Sequence, residues 1–174
     1  MREYFKNILL KFKNEINQNK LDPIYNYFAE NRWFDDIAKL TEIFLKAGID
    51  ILSGVSKIYI NMFYNVQNIP NISIEGNIDR IDEYAFFDSA VKEIHLGKNV
   101  KLIGNRAFSS TDHLEEIYID NPQIRLGYKC FYNCFNLKRI IFSGTKEQWI
   151  DILAHNELEM FGIEPSVKII YLEE

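Results

Sequence analysis

The chain has 174 residues, 47% hydrophobic and 26% charged, which is ample for one packed domain and too apolar for a disordered tail. A net charge of −5 argues against a general binder of nucleic acid or anionic membrane, and two cysteines cannot staple a disulfide-dense secreted scaffold. The opening MREYFKNILLKFKNE has an apolar run of only Ile8 to Leu10, and no stretch approaches the ~20 apolar residues of a membrane span, so a soluble cytoplasmic protein is expected.

In chain order the first signals are helical. Over residues 2–18, Phe5, Ile8, Leu9, Phe12 and Ile16 fall on one helical face. Asp22-Pro23 predicts an N-cap with proline at the first helical position, opening a short helix that reaches Ala29. Trp33, Ile37, Leu40, Phe44 and Ala47 line a third helix, and Gly48 suits its C-terminal cap.

Beyond Gly48 the chain repeats. Four doublets ending in Phe recur, Met62-Phe63, Ala85-Phe86, Ala107-Phe108 and Cys130-Phe131, at spacings of 23, 22 and 23. Eleven residues before each doublet stands an aliphatic (Ile51, Ile74, Leu96, Ile119), and two residues earlier another (Ile49, Ile72, Ile94, Ile117). Four residues before the doublets come Ile58, Ile81, Ile103 and Leu126. A fifth turn begins at Leu137 with Ile140 and Phe142 in the strand places. Aliphatic–x–aliphatic alternation reads as a short strand with one buried face. One such unit cannot bury its own apolar face, whereas stacked units can, so the strands are expected to align into a parallel sheet with the Phe side chains as a ladder. Gly104 and Gly127 permit a tight bend after Ile103 and Leu126. Where Ile78 and Val100 stand in two turns, the next has Gln123 between Pro122 and Ile124, which predicts a local rearrangement.

At the far end, Thr145 to Gln148 fits a capping box, opening a helix through His155 with Trp149 and Leu153 facing inward. Val167 to Leu172 reads as one more strand. The expected division is a helical cap over residues 1–48, a leucine-rich-repeat-like stack of four to five turns over 49–142, and a C-terminal cap of helix plus strand over 143–174. This is an α+β repeat solenoid with its open ends covered.

The segments IDEYAFFDS, IGNRAFSST and LGYKCFYNC, together with the ending FSGTKEQW-IDI, resemble the BspA-like leucine-rich repeats over residues 49–172. The resemblance implies a solenoid that serves as an interaction scaffold, many members being surface proteins that bind other proteins. Short members without a signal are also similar to proteins encoded by phages of low-GC bacteria. The 26 Ile and 17 Asn, with Lys well above Arg, fit A/T-rich coding, as in a low-GC bacterium, its phage or an A/T-rich protist.

Catalytic and metal chemistry find little support. Cys130 and Cys134 have three residues between them and occupy places held by Ala85, Ala107, Ser89 and Thr111 in other turns, so buried inert thiols are expected rather than a metal site. His95 falls mid-strand at an outward place, His113 in a turn and His155 at a helix end, and none has the arrangement of a base beside a nucleophile. No cofactor loop occurs, and Gly144-Thr145-Lys146 is a turn and helix start.

What remains is surface. The residues between the inward aliphatics, Asp50, Ser73, His95, Tyr118 and Ile141, should form one outward row, flanked by Glu93, Glu116, Arg139, Glu75 and Asp120. Tyr118, Ile141 and Arg139 are the expected contact centre, with His95 and Glu116 at its rim. The C-terminal helix folding over this surface would remove that expectation. Charge is uneven: residues 1–20 sum to +3, 21–54 to −3, 55–142 to zero and 143–174 to −5. The function expected is a non-enzymatic protein–protein interaction module. The alternative is a phage or mobile-element inhibitor that blocks a host defence or nucleic-acid-binding factor, helped by the acidic C-terminal end. Neither needs a cofactor, and the partner is a protein.

Overall fold

A computed structural model describes residues 3–69, 71–153 and 158–173. Each repeat contributes a strand, a corner, a shorter strand and a Phe-bearing turn. The longer strands β1 (Ile72–Ile74), β3 (Glu93–Leu96), β5 (Glu116–Ile119), β7 (Arg139–Phe142) and β8 (Lys168–Tyr171) form one all-parallel sheet in that order. The shorter strands β2 (Arg80–Ile81), β4 (Leu102–Ile103) and β6 (Arg125–Leu126) form a second parallel sheet. Identical places pair across turns, Ile72 with Ile94, Ile94 with Ile117 and Ile117 with Ile140, so the sequence period becomes the sheet register. The inward side chains Ile94, Ile103, Ile117, Ile119 and Ile140 are fully buried between the sheets.

The third side of the stack carries the Phe ladder. Phe63, Phe86, Phe108 and Phe131 stack at centroid distances of 4.7, 5.0 and 5.6 Å, within 12° of parallel. Their backbones form a ladder too: Phe86 N–H donates to Ala107 O at 2.7 Å and Phe108 N–H to Cys130 O at 2.8 Å. Each turn reverses through two left-handed residues on either side of the doublet, for example Arg106 (φ 51°) and Ser110 (φ 59°). Asn at several of these places (Asn61, Asn65, Asn133) tolerates that conformation better than most residues.

The first turn is incomplete. Ile58 bridges to Ile81 and Phe63 stacks on Phe86, but residues 49–51 form no strand, and Asp50 therefore does not join the outward row. The reason is local. Helix α4 (Phe34–Lys46) ends with Gly48 at φ 71° and Ile49 N–H on Phe44 O, and Asp50 then bonds Ser53 in a 3-10 turn at Leu52–Gly54. The chain is still closing the helix where the repeat calls for a strand.

Two further helical expectations are adjusted. The first helix is broken at Phe12 into α1 (Glu3–Lys11) and α2 (Lys13–Asn17). Asp22 lies inside α3 (Asp22–Glu30) with Leu21 at the cap position, because its carboxylate is spent elsewhere: it accepts from Ser56 N–H at 3.0 Å and Tyr59 O–H at 2.8 Å. That carboxylate, with Tyr25 stacked on Tyr59 at 5.2 Å, fastens the helices to the first turn.

At the other end, Thr145 N–H donates to Gln148 Oε1 at 2.8 Å and Gln148 N–H to Thr145 Oγ1 at 3.3 Å, the reciprocal bonds of a capping box. Helix α5 (Lys146–Leu153) follows, with Trp149 edge-on to Phe142 at 5.2 Å; the expected end at His155 lies outside the described residues. A short α6 (Leu158–Phe161) closes the Phe side of the last turn, Met160 O and Phe161 O accepting the N–H groups of Lys129 and Phe131. Near Pro122 the departure stays within one turn: Ile124 is buried where Val100 is buried in the turn before, and β6 keeps its register on β4.

Candidate interaction face

The outer surface of the five-stranded sheet is built from the residues that the alternation leaves outside. The register places Ser73, His95, Tyr118, Ile141 and Ile170 in one row and Glu93, Glu116, Arg139 and Lys168 in the next. At ~4.8 Å between strands, neighbours within a row are in contact.

The contacts form one chain across three strands. The His95 and Tyr118 rings stack at 3.9 Å and 10°. His95 Nε2 meets Glu93 Oε1 at 2.9 Å, and Tyr118 O–H donates to Glu116 at 3.1 Å. Arg139 donates to the same Glu116 carboxylate, and Lys138 donates to Glu115 at 2.6 Å beside it. The Arg139 hydrogen bond holds the Glu116 carboxyl below its ordinary range, and the bond to Glu116 raises the Tyr118 hydroxyl. These groups lie at the surface, half-buried apart from the exposed Lys138 and Arg139, so their worth lies in holding side-chain geometry more than in stability.

Four of the five residues singled out from sequence, His95, Glu116, Tyr118 and Arg139, are thus brought into one network. The fifth, Ile141, is not an open anchor: it is only 8% exposed, a floor between Tyr118 and Ile170 rather than a projecting contact. A fifth strand covers it from the side, and the outward apolar residue of that strand, Ile170, is 37% exposed. The signal for Ile170 was the alternation of Val167 to Leu172, which identified the strand without carrying the row forward onto it. Helix α5 packs against β6, on the other sheet, and not across this face.

Other candidate chemistry stays apart. Cys130 and Cys134 are free and buried, burial pushing the Cys130 thiol well up and the Cys134 thiol to about 12. Cys134 Sγ donates to Phe108 O at 2.9 Å, as Thr111 Oγ1 donates to Phe86 O at 2.8 Å one turn earlier. Cys134→Ser and Cys130→Ala are therefore expected to fold normally, since serine can keep the Cys134 bond and alanine fills the Cys130 place in two other turns. Both native thiols should react with a thiol reagent far more slowly than in denaturant, because the thiolate is the reactive form and is disfavoured here. Native labelling as fast as denatured labelling would contradict the packing. His113 is exposed in its turn, and His155 lies outside the described residues. Among the described residues no group of three or more His, Cys, Asp or Glu is placed to hold a metal, and no helix is long and apolar enough to cross a membrane.

Residues 29–157 match the family described as BspA type Leucine rich repeat region, in six copies. No curated protein and no solved structure gives a significant match.

Proposed function

We propose that this chain, which belongs to the BspA type leucine rich repeat family, is a non-enzymatic protein-binding module that meets its partner with the outer face of the five-stranded sheet. The observation that carries the reading is the network from Glu93 through His95, Tyr118 and Glu116 to Arg139, which fixes an aromatic pair and a guanidinium on a regular platform before any partner arrives. Rigid aromatic and arginine side chains contribute most where interfaces are tight, and pre-organising them lowers the entropic cost of association. The close-packed inward side chains beneath hold this platform in place.

The test is affinity capture with identification by mass spectrometry, comparing the native chain with Tyr118→Ala/Arg139→Glu after its melting point has been checked. The double variant removes the ring that stacks on His95 and sets a like charge against Glu116. Capture of the specific partner is expected to fall roughly thirtyfold or more, the loss of a central hot spot. A well-folded double variant that captures the same partner equally would exclude this face.

A further inference from the structure

The last strand is an open edge. Lys168 N–H bonds Lys138 O at 2.9 Å and Leu172 N–H bonds Phe142 O at 3.0 Å, so residues 168, 170 and 172 turn their backbone polar groups toward β7. Those directions alternate along a strand, so the N–H and C=O groups of Ile169 and Tyr171 point away from the sheet. Among the described residues no strand pairs with that side of β8. The core is unfinished at the same place: Ile169 and Tyr171 hold the inward positions that are closed on every inner strand, and both remain partly open. On the outer face Ile170 and Leu172 are 37% and 61% exposed. An unprotected edge of this kind is a template for another strand.

We infer that β8 pairs antiparallel with β8 of a second copy of the chain, about a two-fold axis at Ile170, so that the two outer faces become one continuous sheet. The register is set by which groups are free. With Ile170 on the axis, Ile169 of each copy stands opposite Tyr171 of the other, and the four outward N–H groups all find carbonyls. A shift toward the strand start would ask Val167 to donate, but its N–H is already bonded to Glu164 O at 3.0 Å. A shift the other way would set Glu173 opposite Ile169 at the open end of the core.

Charge selects the same arrangement. The start of β8 is basic, with Lys168 next in the row after Arg139, whereas its end is acidic on balance, Glu173 sharing a loop cleft with Asp120 and Glu75 against one cation, Lys98. An antiparallel two-fold brings the basic start of one copy beside the acidic end of the other, twice in each dimer. A parallel pairing would set like charge on like. The outer apolar row then runs from Tyr118 through Ile141 and Ile170 into the second copy, and the unfinished inward places of the two copies cover each other.

The experiment uses the full chain in sedimentation velocity over a dilution series, with amide hydrogen exchange read residue by residue. The expected mass is twice the 20.6 kDa of one chain. The amides of Ile169 and Tyr171, which have no backbone partner among the described residues, should be protected at high concentration and lose that protection on dilution. Ile170→Lys, which sets two ammonium groups on the axis while leaving the core untouched, should give a folded monomer. Lys168→Glu and Glu173→Lys should each weaken association about tenfold, and the two together should restore it, because the swapped charges meet again across the axis. A chain that stays monomeric at all concentrations overturns the inference. So does a dimer in which Ile169 and Tyr171 exchange freely, or one that Ile170→Lys leaves intact.

Discussion

Phe108→Ala is expected to cost about 3–5 kcal/mol, more than the same change at Phe63. Phe108 is fully buried and has a ring on each face, Phe86 at 5.0 Å and Phe131 at 5.6 Å. Phe63, at the start of the ladder, meets a ring on one side only. The hole left by Phe108 cannot collapse, because the backbone around it is pinned from both directions: Phe86 N–H bonds Ala107 O and Phe108 N–H bonds Cys130 O. Phe108→Leu, which keeps most of the volume, should cost under half as much. Denaturant melts of the two variants beside Phe63→Ala give the ranking directly. A Phe108→Ala variant within about half a kcal/mol of the native chain would mean that the ladder is not what couples the turns.

Most of the stack was legible because its signals are periodic and local. The places of Ile72, Ile94, Ile117 and Ile140 recur at the spacing of the Phe doublets, and a recurrence of that kind has one packing solution, with like places paired. What the sequence hid lies where the period meets something non-periodic. Ile49 and Ile51 have the right spacing for a strand, but the backbone there is occupied in closing α4, a competition that spacing does not express. Asp22 has the look of a helix cap, yet its oxygens go to Ser56 and Tyr59, 34 and 37 residues away. Ile141 was expected to be exposed since alternation says only which way a side chain points; how much is covered depends on the next strand, and β8 arrives after an intervening helix. The closure of the last turn by Met160 and Phe161 falls outside the period: the pair resembles Met62-Phe63 but stands 30 residues after Cys130-Phe131 instead of 22 or 23, and it joins the backbone ladder through its carbonyls.

The second large effect is expected from Gly127→Ala. No side chain can be added there without a collision: a Cβ on Gly127 would lie 2.6 Å from Asn105 N and 2.6 Å from Gly104 C, both backbone atoms of the preceding turn. Backbone cannot rotate aside as a side-chain tip can, and these atoms belong to neighbouring rungs, Gly104 N–H bonding Ile81 O at 2.8 Å and Gly127 N–H bonding Ile103 O at 2.7 Å. The two glycines therefore set how closely successive turns approach at this corner, and adding a methyl pushes the rungs apart where β6 pairs with β4. Overpacking against a pinned neighbour costs about 1–3 kcal/mol and occasionally more, and the upper end is expected here because neither contact atom has room to retreat. Gly76 supplies the contrast. It has φ 71° and open space where a Cβ would go, so Gly76→Ala should cost only the ~1–2 kcal/mol of forcing a left-handed conformation on alanine, with no loss of rung pairing. Hydrogen exchange separates the two mechanisms: Gly127→Ala should expose the amides of Arg125 and Gly127, whereas Gly76→Ala should lower stability with the exchange pattern unchanged. Equal protection at residues 125–127 in both variants would show that the corner has slack, and that the spacing of the turns is set by the Phe ladder instead.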